Sequence, residues 1–194
     1  MSEPTRRLFF ALWPNEQSRA ALVHATRKAV RLCGGRPVAE DNLHTTLLFL
    51  GAVAESRVSE VVTLGASAAA EVVGARDNVL LSPPRFVFDQ IELWQKAHVL
   101  VATPGASSGG GYVVANALVA SLQRVTSGAG FAPDLKPFRP HVTLARKVAF
   151  SKTVLRMAPV EWRFTAFALV ESRTEAEGPV YSVVESYPLA PPAG

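Results

Sequence analysis

The chain has 194 residues, 48% of them hydrophobic and 19% charged, a formal net charge of +4 and a single cysteine. This length suits one compact domain, or two intimately packed lobes, over residues 1–194, with a core that needs no staples. A lone Cys33 excludes an internal disulfide and a cysteine-rich zinc site, which fits a reducing, cytoplasmic setting.

"RRLFFALW" (6–13) is β-rich and closed by Pro14. "NEQSRAALVHATRKAVRLC" then spaces Ala21, Leu22, Ala25, Ala29 and Leu32 as one face of a helix that Gly34 and Gly35 stop. "LHTTLLFLG" (43–51) reads as a strand and residues 55–74 as a second helix, weakened but not broken by Gly65. Short strands follow from Asn78 through Trp94 and over "AHVLVATP". "GASSGGGY" (105–112) reads as a flexible connection, since it lacks the Gly-Lys-Ser/Thr ending of a P-loop, and its Tyr112 receives no role. A third helix over "VVANALVASLQRVTSGAG" precedes "RPHVTLARKVAF", "VEWRFTAFALVES" and "PVYSVVESYPL", with turns at 152–158 and 175–179. Each half thus supplies strands and a helix, an α+β pattern of two related lobes rather than a doubly wound parallel sheet.

Two of the four histidines stand in the same tetrapeptide, His-x-Thr-Leu, at His44 and at His141. On a strand, alternation puts His44 beside Thr46 with Thr45, Leu47 and Phe49 on the reverse face. The same parity pairs His141 with Thr143 over Val142 and Leu144. Two such strands facing one cleft would offer two imidazoles and two hydroxyls. An unperturbed imidazole titrates near 6.5, so one can take a proton while the other gives one. Threonine hydroxyls can hydrogen-bond non-bridging phosphate oxygens, so the set suits displacement at phosphorus without a metal. A zinc reading fits poorly, because His24 falls in a helix, His98 in another strand, and no His-x-His or Cys-x-x-Cys occurs. No cofactor is expected.

These residues resemble the two-histidine (2H) phosphoesterases, marked by a pair of His-x-Thr-x motifs, and more narrowly the LigT-like RNA 2′,3′-cyclic phosphodiesterases. The matching segments are "RRLFFALWPNE", "GRPVAEDNLHTTLLFLGAV", "LKPFRPHVTLAR" and "FALVESRTEAEGPVYSVVESYPL". The resemblance implies a bilobed α+β fold with two antiparallel sheets flanking a central cleft and helices outside. It implies hydrolysis of a ribose 2′,3′-cyclic phosphate to a 2′-phosphomonoester, with His44 as proton donor to the leaving 3′ oxygen and His141 as acceptor from water. Thr46 and Thr143 would hold the phosphate, and the implied partner is an RNA end or small nucleotide carrying that cyclic phosphate. Some relatives also join RNA through 2′-5′ bonds. Two alternatives stand beside this reading: a relative acting on an ADP-ribose cyclic phosphate or a 2′-5′ oligonucleotide, and a non-catalytic RNA-binding module.

Arg146 resembles a family position implicated in phosphate contact, yet strict alternation turns it away from His141, so it reaches the cleft only if the strand twists, bulges or ends. Arg139 reads as a surface or structural contact. Adjacent Phe9 and Phe10 point oppositely, so at least one is core, and Phe10 or Trp94 is left as a stacking candidate for a base. No apolar stretch approaches the ~18–20 residues of a membrane span, and the run before Pro14 is too short for a signal peptide. Dispersed basic residues favour an anionic ligand. No segment reads as an oligomerisation element, so a monomer without a membrane or obligate protein partner is expected.

Overall fold

The computed structural model describes residues 3–75, 83–148, 154–175 and 178–189. In chain order its elements are β1 (Thr5–Leu12), α1 (Glu16–Leu32), β2 (Arg36–Pro37), β3 (Thr45–Ala54), α2 (Val58–Gly74), β4 (Arg85–Trp94), β5 (Val99–Pro104), α3 (Gly109–Gly128), β6 (Val142–Arg146), β7 (Val154–Arg163), β8 (Ala166–Glu175) and β9 (Gly178–Pro188). The strands form two antiparallel sheets, ordered β3-β1-β8-β9 and β2-β6-β5-β4-β7. This is the expected α+β architecture.

The division by sequence halves does not carry over. β8 and β9 return from the C-terminal end to the first sheet, where β8 pairs with β1, while β2 crosses to pair with β6 in the second. Pairing on both sides makes β1 an inner strand and leaves β3, the first motif strand, and β9 as the edges of that sheet. "VEWRFTAFALVES" is accordingly two strands in different sheets, β7 and β8. Of the turn expected at 152–158, residues 154–158 are instead strand, because β7 already runs from Val154; residues 152 and 153 lie outside the described residues, as do the strand residues expected at 78–82.

Aromatic side chains fill the reverse of each sheet. Phe10, Phe167 and Tyr187 meet beneath the first, and Phe86, Phe88, Trp162 and Phe164 beneath the second, all but fully buried. Helix α1 is capped by Asn15, whose side chain accepts from the Ser18 amide at 2.8 Å. Its buried stripe is Leu22 and Thr26, followed by Cys33, while Leu32 is 69% exposed, not inward as its spacing suggested. Thr26 tolerates burial because its hydroxyl donates to the Leu22 carbonyl at 2.8 Å. Residues 105–112 are not a loose connection either: Gly109 to Gly111 form the first turn of α3, and Gly111 packs so closely on β4 that a methyl there would lie 2.1 Å from the Arg85 carbonyl oxygen.

Helix α2 is continuous through Gly65 because that glycine receives Tyr187. A methyl there would stand 2.4 Å from the ring, whose hydroxyl donates to the Val62 carbonyl at 3.2 Å. Gly65→Ala gains about 1 kcal/mol of helix propensity but forces a wedged aromatic ring to move, an overpacking cost of about 1–3 kcal/mol. Steric conflict dominates, so we expect a fall of a few degrees in Tm in a thermal melt; a rise would show that Tyr187 yields freely.

Candidate functional site

Both motifs sit at strand starts on the inner faces of the two sheets. His44 immediately precedes β3 and His141 immediately precedes β6. Each ring is fixed in the same way. Nδ1 of His44 lies 2.7 Å from the Asn42 carbonyl oxygen and Nδ1 of His141 lies 2.8 Å from that of Arg139. A carbonyl only accepts, so Nδ1 carries the proton in both rings, and Nε2 is the nitrogen left to exchange one. His44 Nε2 lies 3.1 Å from the Thr46 hydroxyl, which gives the expected imidazole and hydroxyl on one face.

Beyond each threonine the alternation breaks, and in the same place. Leu48 pairs with Phe10 and Thr46 with Ala11, so Leu47 has no opposite residue in β1. Ala145 pairs with Leu100 and Thr143 with Val101, so Leu144 has none in β5. Each motif leucine is therefore a β-bulge, and Leu47 with Leu48, like Leu144 with Ala145, turns consecutively into the core. The bulge resets parity. Phe49, expected behind His44, joins Phe9, Trp13 and Tyr181 on the histidine face, and Arg146 shares the Thr143 face. Phe49 thus stands to His44 as Arg146 stands to His141. The bulge was written in the sequence as two successive apolar residues after each threonine, where alternation allows one.

The twin histidines have unlike surroundings. His44 is enclosed by rings: Trp13 stacked at 5.3 Å and 5°, Phe9 at 5.0 Å, and Tyr181 edge-on at 5.1 Å. Burial there pushes its pKa down to about 4, against the pull of the Asn42 carbonyl and assisted by the charges of Arg146 and His141. His141 leans on Trp94, ring centres 4.3 Å apart, and its pKa is also lowered, first by burial and then by Arg139 and Arg146, with Glu92 opposing. Arg146 therefore sits where its charge reaches both imidazoles. Arg139 is more than a surface contact: it donates to Glu92 at 2.6 Å, lies over the Trp94 ring at 4.6 Å, and holds His141 through its carbonyl. Phe10 is wholly core and drops out as a base platform, whereas Trp94 remains at the site. Trp13, Tyr181, Asn42 and Glu92 had no signal in the sequence, since each arrives from a separate element.

A cavity of about 810 Å³ opens beside His44, Thr143 and Arg146 and runs along α1. Its wall is apolar at Val23, Val30, Val38 and Tyr181, and its cations are Arg27, Arg31, Arg36, Arg146 and Lys147, against Glu40 as the one carboxylate among the described residues. Among the described residues those five cations have no ion-pair partner, whereas Arg6, Arg19, Arg57, Arg85, Arg124, Lys136, Arg139, Arg156 and Arg163 all do. Such uncompensated positive charge around an apolar floor suits an anionic, partly aromatic ligand. His24 is exposed on α1, and His98 occupies a turn at φ 51° rather than the expected strand. Among the described residues no three histidine, cysteine or acidic side chains cluster as a metal site would need, and no helix is long and apolar enough to cross a membrane.

Depressed proton affinity at His44 makes stability depend on pH. Its folded pKa of about 4 lies below the unfolded 6.5, so the unfolded chain binds more protons between those values. The contribution is complete above pH 6.5 and is lost as pH falls through 4, about 3 kcal/mol in all. Thermal melts of the parent and His44→Gln from pH 7 to pH 4 are expected to diverge, the parent falling further. Parallel curves would show that His44 titrates normally.

Fold and site together define a phosphoesterase: the chain belongs to the family described as LigT like phosphoesterase, whose model matches residues 12–101 and 114–181. Both motifs lie inside the matched segments, and the whole glycine-rich stretch at 105–112 falls between them. The chain is 34% identical to an RNA 2′,3′-cyclic phosphodiesterase of Thermus thermophilus over 94% of this chain and 90% of that protein. It is 30% identical to an RNA 2′,3′-cyclic phosphodiesterase of Escherichia coli over 79% of this chain and 78% of that one. Its fold is similar to that of E. coli LigT crystallised with NADP+, with a TM-score of 0.74 at 26% identity over 98% of this chain and 100% of LigT. E. coli LigT crystallised with 3′-AMP matches with a TM-score of 0.73 at 26% identity, over 97% and 100%.

Proposed function

We propose that this protein hydrolyses RNA 2′,3′-cyclic phosphate ends to 2′-phosphomonoesters, using His44 as general acid and His141 as general base within one bilobed domain. The observation that carries this is the pair of imidazoles with Nδ1 tied to backbone carbonyls, each left with Nε2 as its exchanging nitrogen. Water attacks phosphorus while His141 Nε2 takes its proton. The P–O3′ bond breaks as His44 Nε2–H gives its proton to O3′, and the 2′-phosphate and a free 3′-hydroxyl result. Thr46 and Thr143 hold non-bridging oxygens, and Arg146 offsets the charge they gather. With its pKa lowered to about 4, His44 on its own is neutral at pH 7. An anionic phosphate beside it counters Arg146 and favours the imidazolium that the acid role needs. A ribose is required because the cyclic ester uses its 2′ oxygen.

The relatives' names support RNA as substrate, and the five unpaired cations along the cavity favour a polynucleotide end over a small cyclic nucleotide. The deciding experiment is hydrolysis of an oligoribonucleotide ending in a 2′,3′-cyclic phosphate, in excess EDTA, with the 2′- and 3′-phosphate products resolved. A 2′-phosphate product lost in His44→Ala is the expected result. Turnover of a cyclic mononucleotide at the same kcat/KM, with no dependence on salt, would move the assignment to small nucleotides. Adding a 5′-hydroxyl RNA to the 2′-phosphate product tests for the reverse joining reaction.

A further inference from the structure

Glu92 lies outside the two motifs, yet three donors from three segments converge on its carboxylate. On β4 the Trp94 indole N–H donates to Oε2 at 3.1 Å; from β5 the Thr103 hydroxyl donates to Oε1 at 2.8 Å; and ahead of β6 the Arg139 guanidinium donates to Oε2 at 2.6 Å. The Glu92 side chain is 19% exposed, and Thr103 is buried. A carboxylate so placed fixes two neighbours at once. Trp94 carries the Arg139 guanidinium over its ring at 4.6 Å and meets the His141 ring, tilted by 49°, at 4.3 Å, and Arg139 is the residue whose carbonyl sets the His141 tautomer. Among the described residues no such carboxylate is recorded against His44, whose walls are Phe9, Trp13 and Tyr181.

We infer that Glu92 is the positioning residue for His141: it clamps Trp94 and Arg139 together, so that the imidazole is aimed by a rigid wall and its product imidazolium meets a neutralised guanidinium. This rests on the assignment of His141 as general base. A base that gains a proton becomes a cation, and among the described residues the charged groups that reach it are Arg139, Arg146 and His44, all unfavourable, and Glu92, the one favourable neighbour. The indole face adds cation–π attraction once the imidazole is charged. Without Glu92, Arg139 is free to leave Trp94 and its charge is uncancelled.

The clamp has a geometric part and an electrostatic part, and two variants separate them. Glu92→Ala removes both; Glu92→Gln keeps acceptor oxygen for Trp94 or Thr103 but removes the charge. In Glu92→Ala, kcat on the cyclic-phosphate oligonucleotide is expected to fall about 10- to 100-fold with KM within about twofold, since a small misdirection of a catalytic group has effects of that order. Glu92→Gln should recover most of kcat. In both variants the His141 imidazole should titrate at lower pH than in the parent, read directly by NMR of the ring without any substrate. Unchanged kcat and unchanged His141 titration in a folded Glu92→Ala protein would overturn the inference, as would a lower melting temperature with both unmoved, the mark of a merely structural carboxylate. A parent protein without turnover refutes the phosphodiesterase assignment instead, and the NMR titration still decides whether Glu92 governs His141.

Discussion

His141→Ala is expected to lower kcat on a 2′,3′-cyclic-phosphate oligonucleotide by about 10²- to 10⁴-fold, with KM little changed. His44→Ala should lose a similar factor, and the double variant little more, because residues that act as a unit are not additive. The informative comparison uses a phosphodiester with a 4-nitrophenyl leaving group, which departs without help from an acid. His44→Ala should regain most of its activity on that substrate and His141→Ala should not. Rescue of His141→Ala in its place would exchange the two roles.

The pH dependence follows from the same surroundings. kcat/KM reports the free enzyme, in which both imidazoles titrate below 6.5. The acid must hold its proton and the base must lack one, so above pH 6.5 kcat/KM should fall about tenfold per pH unit. kcat reports the occupied cleft, where the substrate anion raises the His44 pKa, so its plateau should extend to higher pH.

What the sequence made legible is what depends on short-range period. The step from His44 to Thr46 is two residues on an extended chain, and the hydroxyl lies on the imidazole face as that period requires. Helix α2 and the strands of both motifs were read within a few residues. Alternation fails one residue past each threonine, where a bulge that a two-period reading cannot contain moves Phe49 and Arg146 to the cleft. Helix α1 was located and Leu22, Ala25 and Ala29 do face the core, but Ala21 and Leu32 are exposed and Thr26 was missed, since a threonine whose hydroxyl is satisfied by a backbone carbonyl can be buried like an apolar residue. The walls around the imidazoles were illegible for a different reason. Trp13 follows β1, Tyr181 lies on β9 and Glu92 on β4, and only the tertiary return of β8 and β9 to the first sheet brings Tyr181 to His44.

Arg146→Ala is expected to reduce kcat by about 10²- to 10³-fold, the range for removing one hydrogen-bond donor from a developing oxyanion. Two features make the effect large. The bulge at Leu144 delivers the guanidinium to the Thr143 face, and among the described residues no carboxylate pairs with it, so its charge is free for the phosphate. The substitution also has a signature that loss of binding alone lacks. Arg146 lowers the proton affinity of both His44 and His141, so its removal raises both, and the kcat/KM profile should move to higher pH even as it drops in height. Arg146→Lys keeps the charge, so its profile should stay near the parent's while kcat recovers only in part, because an ammonium cannot make the paired contacts of a guanidinium. A profile unmoved in Arg146→Ala would mean that the side chain leaves the cleft in solution and that the bulge does not serve to aim it.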